Sequence, residues 1–247
     1  MAGPSETVAT TYNNTHRYVA RAMLSKQLAT EEELLCIVQE ACTHYSPGSR
    51  SVCLSDALAI VNEVNNRIDQ HGYSIVKRLD EQKGVEMFVL ICKSLTEEQK
   101  KFEEKIREAE TKLLYNILDA IMQSDHRRVT VDYLQKAEGS SRLRTANSVV
   151  QQWFKQEWFI YCEDRSFITL GVRALAELER YLVAEYRLNT CTLCNFIVFT
   201  NLHKCCPVCQ NMFHNRCFQS YVETVGKLPG SSCPFSECTA PLSQCTE

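Results

Sequence analysis

Four pairs of cysteine and histidine residues near the C-terminus have the spacing of metal ligands. In chain order they are Cys191 and Cys194, Cys206 and Cys209, His214 and Cys217, and Cys233 and Cys238. Two intervening residues let both side chains of a pair reach one ion from a tight turn. Since two tetrahedral sites need eight ligands, the four pairs together predict two bound zinc ions.

The four pairs can join in sequence or can alternate along the chain. Alternation gives one zinc ion the ligands Cys191, Cys194, His214 and Cys217, and gives the other Cys206, Cys209, Cys233 and Cys238. This cross-brace is typical of RING and PHD modules, and the short gap between the second and third pairs favours it. A helix is predicted over 218–232, between the third and fourth pairs, where a RING has one.

Neighbouring residues offer alternatives to two of these ligands. Cys205 could replace Cys206, and Cys245 could replace Cys238, whereas His203 is expected to be an exposed loop residue. Five further cysteines lie on or near apolar faces and are interpreted as small core residues: Cys36, Cys42, Cys53, Cys92 and Cys162. No local nucleophile signature supports a Cys-His hydrolase.

Composition narrows the class of protein. The chain has 247 residues, of which 45% are hydrophobic and 23% charged, as in a folded protein of one or two domains. Its net charge of -3 excludes a strongly basic, histone-like binder. Residues 1–25 have no apolar segment typical of a signal peptide, and no apolar run is long enough to span a membrane. We therefore expect a reducing compartment, where clustered cysteines bind metal.

One order of elements occurs twice before the cysteine-rich block. Thr30 with Glu33, and Thr96 with Gln99, form capping boxes that open a helix in each repeat. Each repeat then has further amphipathic helices and a hairpin, whose polar turns lie at 80–84 and 163–165. Three helices followed by a hairpin is the order of a winged-helix unit.

The sequence therefore predicts a mainly α fold with small β hairpins. It consists of tandem winged-helix domains over 12–95 and 96–187, followed by a cross-brace zinc RING variant over 188–240. We expect a disordered N-terminus over 1–11 and a tail over 241–247.

Local sequences resemble the non-SMC element 1 family, the RING-like subunits of an SMC complex that works in DNA repair and recombination. Val149–Lys155 with Trp158 resembles the family's second winged helix, Phe167–Ala174 its second wing and final helix, and Met212–Cys217 its third ligand pair. The ligand order of four cysteines, one histidine and three cysteines is also similar. The resemblance covers about residues 12–240.

This resemblance implies a RING-type E3 ubiquitin-protein ligase subunit, nuclear and associated with chromosomes. Its partners would be a MAGE-family subunit, bound through winged-helix and RING surfaces, a kleisin subunit, the SMC complex and a ubiquitin-conjugating enzyme. Such a ligase has no catalytic nucleophile, because it positions the charged conjugating enzyme. Leu193 and Pro234 match the usual docking surface. The four residues between Cys233 and Cys238, and Thr239 where many active RINGs have arginine, depart from an active ligase.

Three other functions compete with the ligase. The first is a non-enzymatic, zinc-stabilised scaffold. The second is a DNA-binding winged helix, with Arg142 and Arg144 as the candidate contacts and Arg127 and Arg128 before them. After these arginines, however, the helix predicted over 142–157 carries mainly apolar and aromatic residues. This composition favours binding to a protein over direct binding to DNA phosphates, and so an indirect link to DNA. The third is a PHD histone reader, but Ser231 stands where such modules usually carry tryptophan. We expect no small-molecule substrate.

Overall fold

The computed structural model describes residues 12–45, 51–93, 108–140, 146–162, 165–200, 203–225 and 231–246. The chain divides into two compact units, Met1–Lys77 with Met87–Thr96 and Arg78–Glu86 with Glu97–Glu247. The predictions for the N-terminus over 1–11 and for the capping box of Thr96 and Gln99 fall outside the described residues. In the part of the chain that is described, no helix combines the length and apolar character that crossing a bilayer requires.

The first unit begins with three helices and a short strand. They are α1 (Asn14–Lys26), β1 (Leu28–Thr30), α2 (Glu31–Tyr45) and α3 (Leu54–Ile68). The predicted capping box opens α2, since the Glu33 amide donates to Thr30 Oγ1 over 3.2 Å and the Thr30 amide donates to Glu33 Oε2 over 2.9 Å. The apolar faces of the helices form a core that includes Val19, Met23, Leu34, Val38, Val61 and Val64.

A hairpin follows these helices, as the change of hydrophobic period predicts. A short 3-10 helix, Asp69–His71, ends at Gly72 with a φ of 76°, and β2 (Tyr73–Asp80) and β3 (Val85–Cys92) follow. The sheet has the order β1-β3-β2. At its turn, Asp80 Oδ1 accepts the amides of Gln82 and Lys83 over 3.0 and 3.1 Å.

The interpretation of the five scattered cysteines as core residues is wrong for two of them. Cys36 is exposed, because it lies two positions from the buried Leu34 and Val38 and so faces away from the core. Cys53 is exposed at the start of α3, where its thiol donates to Asp56 Oδ2 over 2.9 Å. The other three are half-buried: Cys42, Cys92 and Cys162.

The second unit repeats the order of helices and hairpin. Its elements are α4 (Glu108–Gln123), β4 (Val129–Thr130), α5 (Val131–Ser140), α6 (Ala146–Lys155), β5 (Phe159–Cys162), β6 (Phe167–Leu170), α7 (Val172–Glu177) and α8 (Glu179–Tyr186). The sheet has the order β4-β6-β5. Helices α7 and α8 are separated by a bend at Leu178, whose φ of -94° and ψ of 6° lie outside helical values.

The cysteine-rich block completes the second unit. Two of its apolar side chains, Ile197 and Phe199, belong to the same buried core as Leu118, Phe159 and Leu182. The predicted fold class is therefore confirmed: two winged-helix modules are followed by a RING-like module. The segment predicted as a tail contains a 3-10 helix, Leu242–Thr246.

Candidate metal centre

Two groups of four ligand side chains lie in the RING-like module, in the alternating arrangement. The first contains Cys191, Cys194, His214 and Cys217, and the second contains Cys206, Cys209, Cys233 and Cys238. Within each group the ligand atoms all lie within 4.8 Å of one another. Each group could therefore hold one metal ion.

The distances between ligand atoms fit tetrahedral coordination. Metal–sulfur bonds of about 2.3 Å place two sulfurs about 3.8 Å apart in a tetrahedron. The Sγ atoms of Cys206 and Cys238 are 3.9 Å apart, and those of Cys209 and Cys233 are 3.8 Å apart. A disulfide would need about 2.05 Å. In the first group, His214 Nδ1 lies 3.3 Å from Cys194 Sγ and 3.8 Å from Cys217 Sγ.

Two equivalent turns present the first and second ligand pairs. The amide of Asn195 donates to the Cys191 carbonyl over 2.7 Å, and the amide of Gln210 donates to the Cys206 carbonyl over 2.8 Å. Asn195 and Gln210 both have a φ near 60°, which curls the chain back directly after the second cysteine of each pair. The two sulfurs of each pair therefore face the same point.

A short sheet and a helix present the third pair. Strands β7 (His203–Cys205) and β8 (Met212–His214) are antiparallel, and α9 (Asn215–Thr224) begins directly after His214. The helix therefore carries Cys217 in its first turn and buries Phe218. It begins before residue 218, where the sequence pattern predicts its start.

One cysteine of each group has surroundings that favour the thiolate, the form that binds metal. Interactions with neighbouring cysteines and burial raise the pKa values of Cys217, Cys233 and Cys238 instead. Burial opposes ionisation of Cys206, but the backbone N–H groups of Cys209 and Val208 lower its pKa to about 6. In the first group, hydrogen bonds from Cys194 and Cys217 hold the pKa of Cys191 well below its ordinary value.

Two oxygen atoms orient the ring of His214 on the side opposite the cysteine sulfurs. Its Nε2 lies 2.8 Å from the Ile197 carbonyl oxygen and 3.4 Å from Glu81 Oε1. The side chains of His214 and Glu81 are only 3% and 7% exposed. Because Nε2 faces these acceptors, Nδ1 is left to face the sulfurs. Glu81 precedes His214 by 133 residues, and no pattern in the sequence connects the two.

Negative charge around the first group favours a cation there. Burial lowers the pKa of His214, but Cys191, Cys194 and Glu81 outweigh it and raise the pKa to about 12 in the absence of metal. Burial raises the pKa of Glu81, but hydrogen bonds from His214, Thr200 and Phe199 bring it below its ordinary value. Glu81 is therefore a carboxylate at neutral pH.

The alternative ligands lie outside both groups. Cys205 is exposed, and its Sγ lies 3.7 Å from the Cys206 carbonyl oxygen. Cys245 is buried in the core that contains the second group, but the ligand grouped there is Cys238. The expectation that His203 is an exposed loop residue is wrong, because its strand pairing with His214 leaves it half-buried.

The candidate docking residues flank the two groups. Leu193 and Pro234 are half-buried, and Leu193 packs against the core of the module. Val208, between Cys206 and Cys209, is 65% exposed and was not singled out from the sequence. An apolar residue inside a two-ligand turn is the signal that would have indicated it.

The arginine candidates for DNA contact differ in their surroundings. Arg142 and Arg144 lie outside the described residues. Arg127 donates to the Met122 carbonyl, and the guanidinium of Arg128 lies 4.4 Å from the centre of the Phe167 ring.

Comparison with known proteins shows a similar fold among solved structures. No family model and no curated protein matches the sequence of this chain. Its structure is similar to a chain of a solved structure titled the Nse1-Nse3-Nse4 complex, with a TM-score of 0.69 and 18% sequence identity. The similarity covers 92% of this chain and 96% of that chain, so the two share one fold along nearly their whole length.

Proposed function

We propose that this protein is the RING-like, non-SMC element 1 subunit of an SMC-type chromosome complex in DNA repair and recombination. The observation that carries this proposal is the fold shared over 92% of the chain with a member of the Nse1-Nse3-Nse4 complex. The two alternating ligand groups support it, because they match the ligand order that the sequence resemblance implies. A nuclear, chromosome-associated location follows from this assignment.

We infer that both groups bind zinc. Four thiolates, or three thiolates and one imidazole, in a tetrahedron are the donor set that zinc prefers. Bound zinc would supply folding free energy to this module, since four of its ligands are buried members of its small core. The other buried members among the described residues are Val198, Phe213, Phe218, Ala240, Leu242 and Cys245.

The partners follow from the same assignment. The similar solved structure is titled as a complex of Nse1 with Nse3 and Nse4, and the family resemblance of the sequence implies a MAGE-family and a kleisin partner. We therefore propose that this chain binds a MAGE-family subunit and a kleisin subunit. The winged-helix and RING-like surfaces are the proposed interfaces.

The proposed activity is that of an E3 ubiquitin-protein ligase. Leu193 and Pro234, with the exposed Val208 between two ligands of the second group, would form an apolar surface for a charged ubiquitin-conjugating enzyme. The chain would contribute positioning of the thioester toward a substrate lysine and no nucleophile. The exposed Thr239 offers no cation to ubiquitin, so we expect the activity to depend on the MAGE-family partner.

Discharge of ubiquitin from charged conjugating enzymes onto free lysine tests this function. We expect discharge with the full chain and a MAGE-family partner, and loss of discharge in a Leu193→Ala, Val208→Ala variant that keeps both metals. A Cys206→Ala, Cys209→Ala variant, which loses the second group, is the control without a docking surface. If metal analysis shows both zinc ions bound and no conjugating enzyme of a broad panel is discharged, the ligase proposal is contradicted. The non-enzymatic scaffold is then the favoured function.

A further inference from the structure

We propose that Glu81, in the turn between β2 and β3, is a positioning residue for His214 in the first metal group. The inference rests on the proposed zinc centre and adds to it a residue outside the RING-like module. Glu81 and the module belong to the same compact unit.

Both oxygens of the Glu81 carboxylate accept hydrogen bonds from one short segment of the module. Its Oε1 accepts the Phe199 amide over 2.9 Å, and its Oε2 accepts the Thr200 amide and hydroxyl over 2.8 and 2.6 Å. A carboxylate that is only 7% exposed needs such partners, because burying an unpaired charge is strongly unfavourable. Glu81 therefore fixes the backbone at residues 199 and 200.

This segment also carries the main acceptor for the histidine. The Ile197 carbonyl, two residues before Phe199, accepts from His214 Nε2 over 2.8 Å, and Glu81 Oε1 lies 3.4 Å from the same nitrogen. Histidines that bind metal usually donate their second ring N–H to a carboxylate or carbonyl, which fixes the tautomer and the ring plane. Glu81 thus acts on His214 by its own charge and by holding the Ile197 carbonyl.

Contacts on both sides hold the turn against the module. The Arg78 guanidinium stacks 3.6 Å from the centre of the Phe196 ring and pairs with Glu179 over 2.9 Å. Beyond Glu81, Arg216, two residues after His214, donates to the Gly84 carbonyl. These contacts therefore aim the carboxylate at 197–200.

The chemistry of the two groups makes the effect specific. The first group has an imidazole whose second nitrogen needs orientation, whereas the second group consists of four cysteines. Loss of Glu81 should therefore weaken metal binding at the first group and leave the second unchanged.

Metal release from the full-length, zinc-loaded chain tests this inference. Zinc transfer to a chromophoric chelator would be timed for wild type, Glu81→Ala, Glu81→Gln and the control Gln82→Ala, an exposed residue of the same turn. We expect about 10- to 100-fold faster release from one of two sites in Glu81→Ala, the usual effect of losing such a partner, and a smaller change in Glu81→Gln. Gln82→Ala should release both ions as wild type does.

Spectroscopy distinguishes a role of Glu81 in positioning the His214 ring from a role only in folding the segment 197–200. With cadmium in place of zinc, the histidine-containing first group and the all-cysteine second group give distinct ¹¹³Cd resonances, and the His214 ring N–H gives a ¹H–¹⁵N signal. We expect Glu81→Gln to shift the resonance of the first group and the ring N–H signal. Thr200→Val, which removes one hydrogen bond to the same carboxylate, should shift them less.

Two outcomes would overturn the inference. One is wild-type release from both sites in Glu81→Ala, and the other is an equal effect of Thr200→Val and Glu81→Gln on the His214 signal. A wild-type chain that binds no zinc would instead contradict the proposed zinc centre.

Discussion

At the scale of single residues, the second metal group has one more cysteine nearby than the four that a tetrahedral site needs. The group contains Cys206, Cys209, Cys233 and Cys238, while Cys245 lies buried in the same core. Because the Cys206 and Cys238 sulfurs already have a tetrahedral separation of 3.9 Å, we expect Cys245 to lie beside the site without being a ligand, although its thiol forms hydrogen bonds with Cys206 and Cys233.

We therefore expect Cys238→Ser to lower the zinc content from two ions to one, and Cys245→Ser to keep both. The physical reason is that serine offers a poor ligand to zinc, whereas it replaces a packing thiol with little change of volume. Metal analysis of the two purified variants makes the comparison. The reverse result would assign Cys245 to the site in place of Cys238.

The residues of the site differ in how far the sequence predicts them. Paired spacing is local, so it pointed to all eight side chains that the structure gathers into two groups. Glu81 lies 133 residues before His214, and only the tertiary fold brings them together. The residues next to Glu81 in the sequence predict only a polar turn. Most hairpins have such a turn, so this pattern does not indicate a role at the metal site.

At the scale of secondary structure, the junction between β6 and α7 depends on a glycine. The Gly171 amide donates to the Trp158 carbonyl over 2.9 Å, which brings the backbone of the preceding turn close. A Cβ atom at position 171 would lie 2.1 Å from the Glu157 carbonyl oxygen. Position 171 therefore requires glycine because a larger side chain would clash with the backbone. Its backbone conformation is not the reason, since a φ of -82° suits any residue.

We expect Gly171→Ala to lower the free energy of unfolding of the second unit by about 1–3 kcal/mol, the usual cost of overpacking. Gly139→Ala is the matched control, because an added Cβ there meets nothing within 4 Å and position 139 lies in α5. It should raise stability by roughly 0.5–1 kcal/mol through helix propensity. Urea unfolding followed by circular dichroism compares the two, and equal effects would contradict the steric argument.

Periodicity predicts elements better than it predicts their surroundings. The hydrophobic patterns indicated the helices and both hairpins, because one apolar face is enough to define each period. They did not indicate the bend at Leu178. The exposure of Cys36, by contrast, follows from the helical period itself, because this residue lies two positions from the buried Leu34 and Val38.

At the scale of the whole molecule, we expect folding of the second unit to be coupled to metal binding. Ile197 and Phe199 follow the first ligand pair closely, yet they pack in one core with Leu118, Phe159 and Leu182 of the winged-helix module. Loss of metal would release the turns that place these two side chains. The effect should therefore extend from the ligands into the winged-helix core.

Hydrogen exchange before and after removal of zinc by a strong chelator tests this coupling. We expect amides over 191–200 and 203–225 to lose protection almost completely, because four of the ten buried residues in the described core of the module are metal ligands. Amides of β5 and α8 should lose protection partly, since Phe159 and Leu182 lose packing partners. Helices α1 to α3, which have a separate core in the first unit, should exchange as before. Unchanged exchange in β5 and α8 would mean that the winged-helix core does not need the metal-bound module.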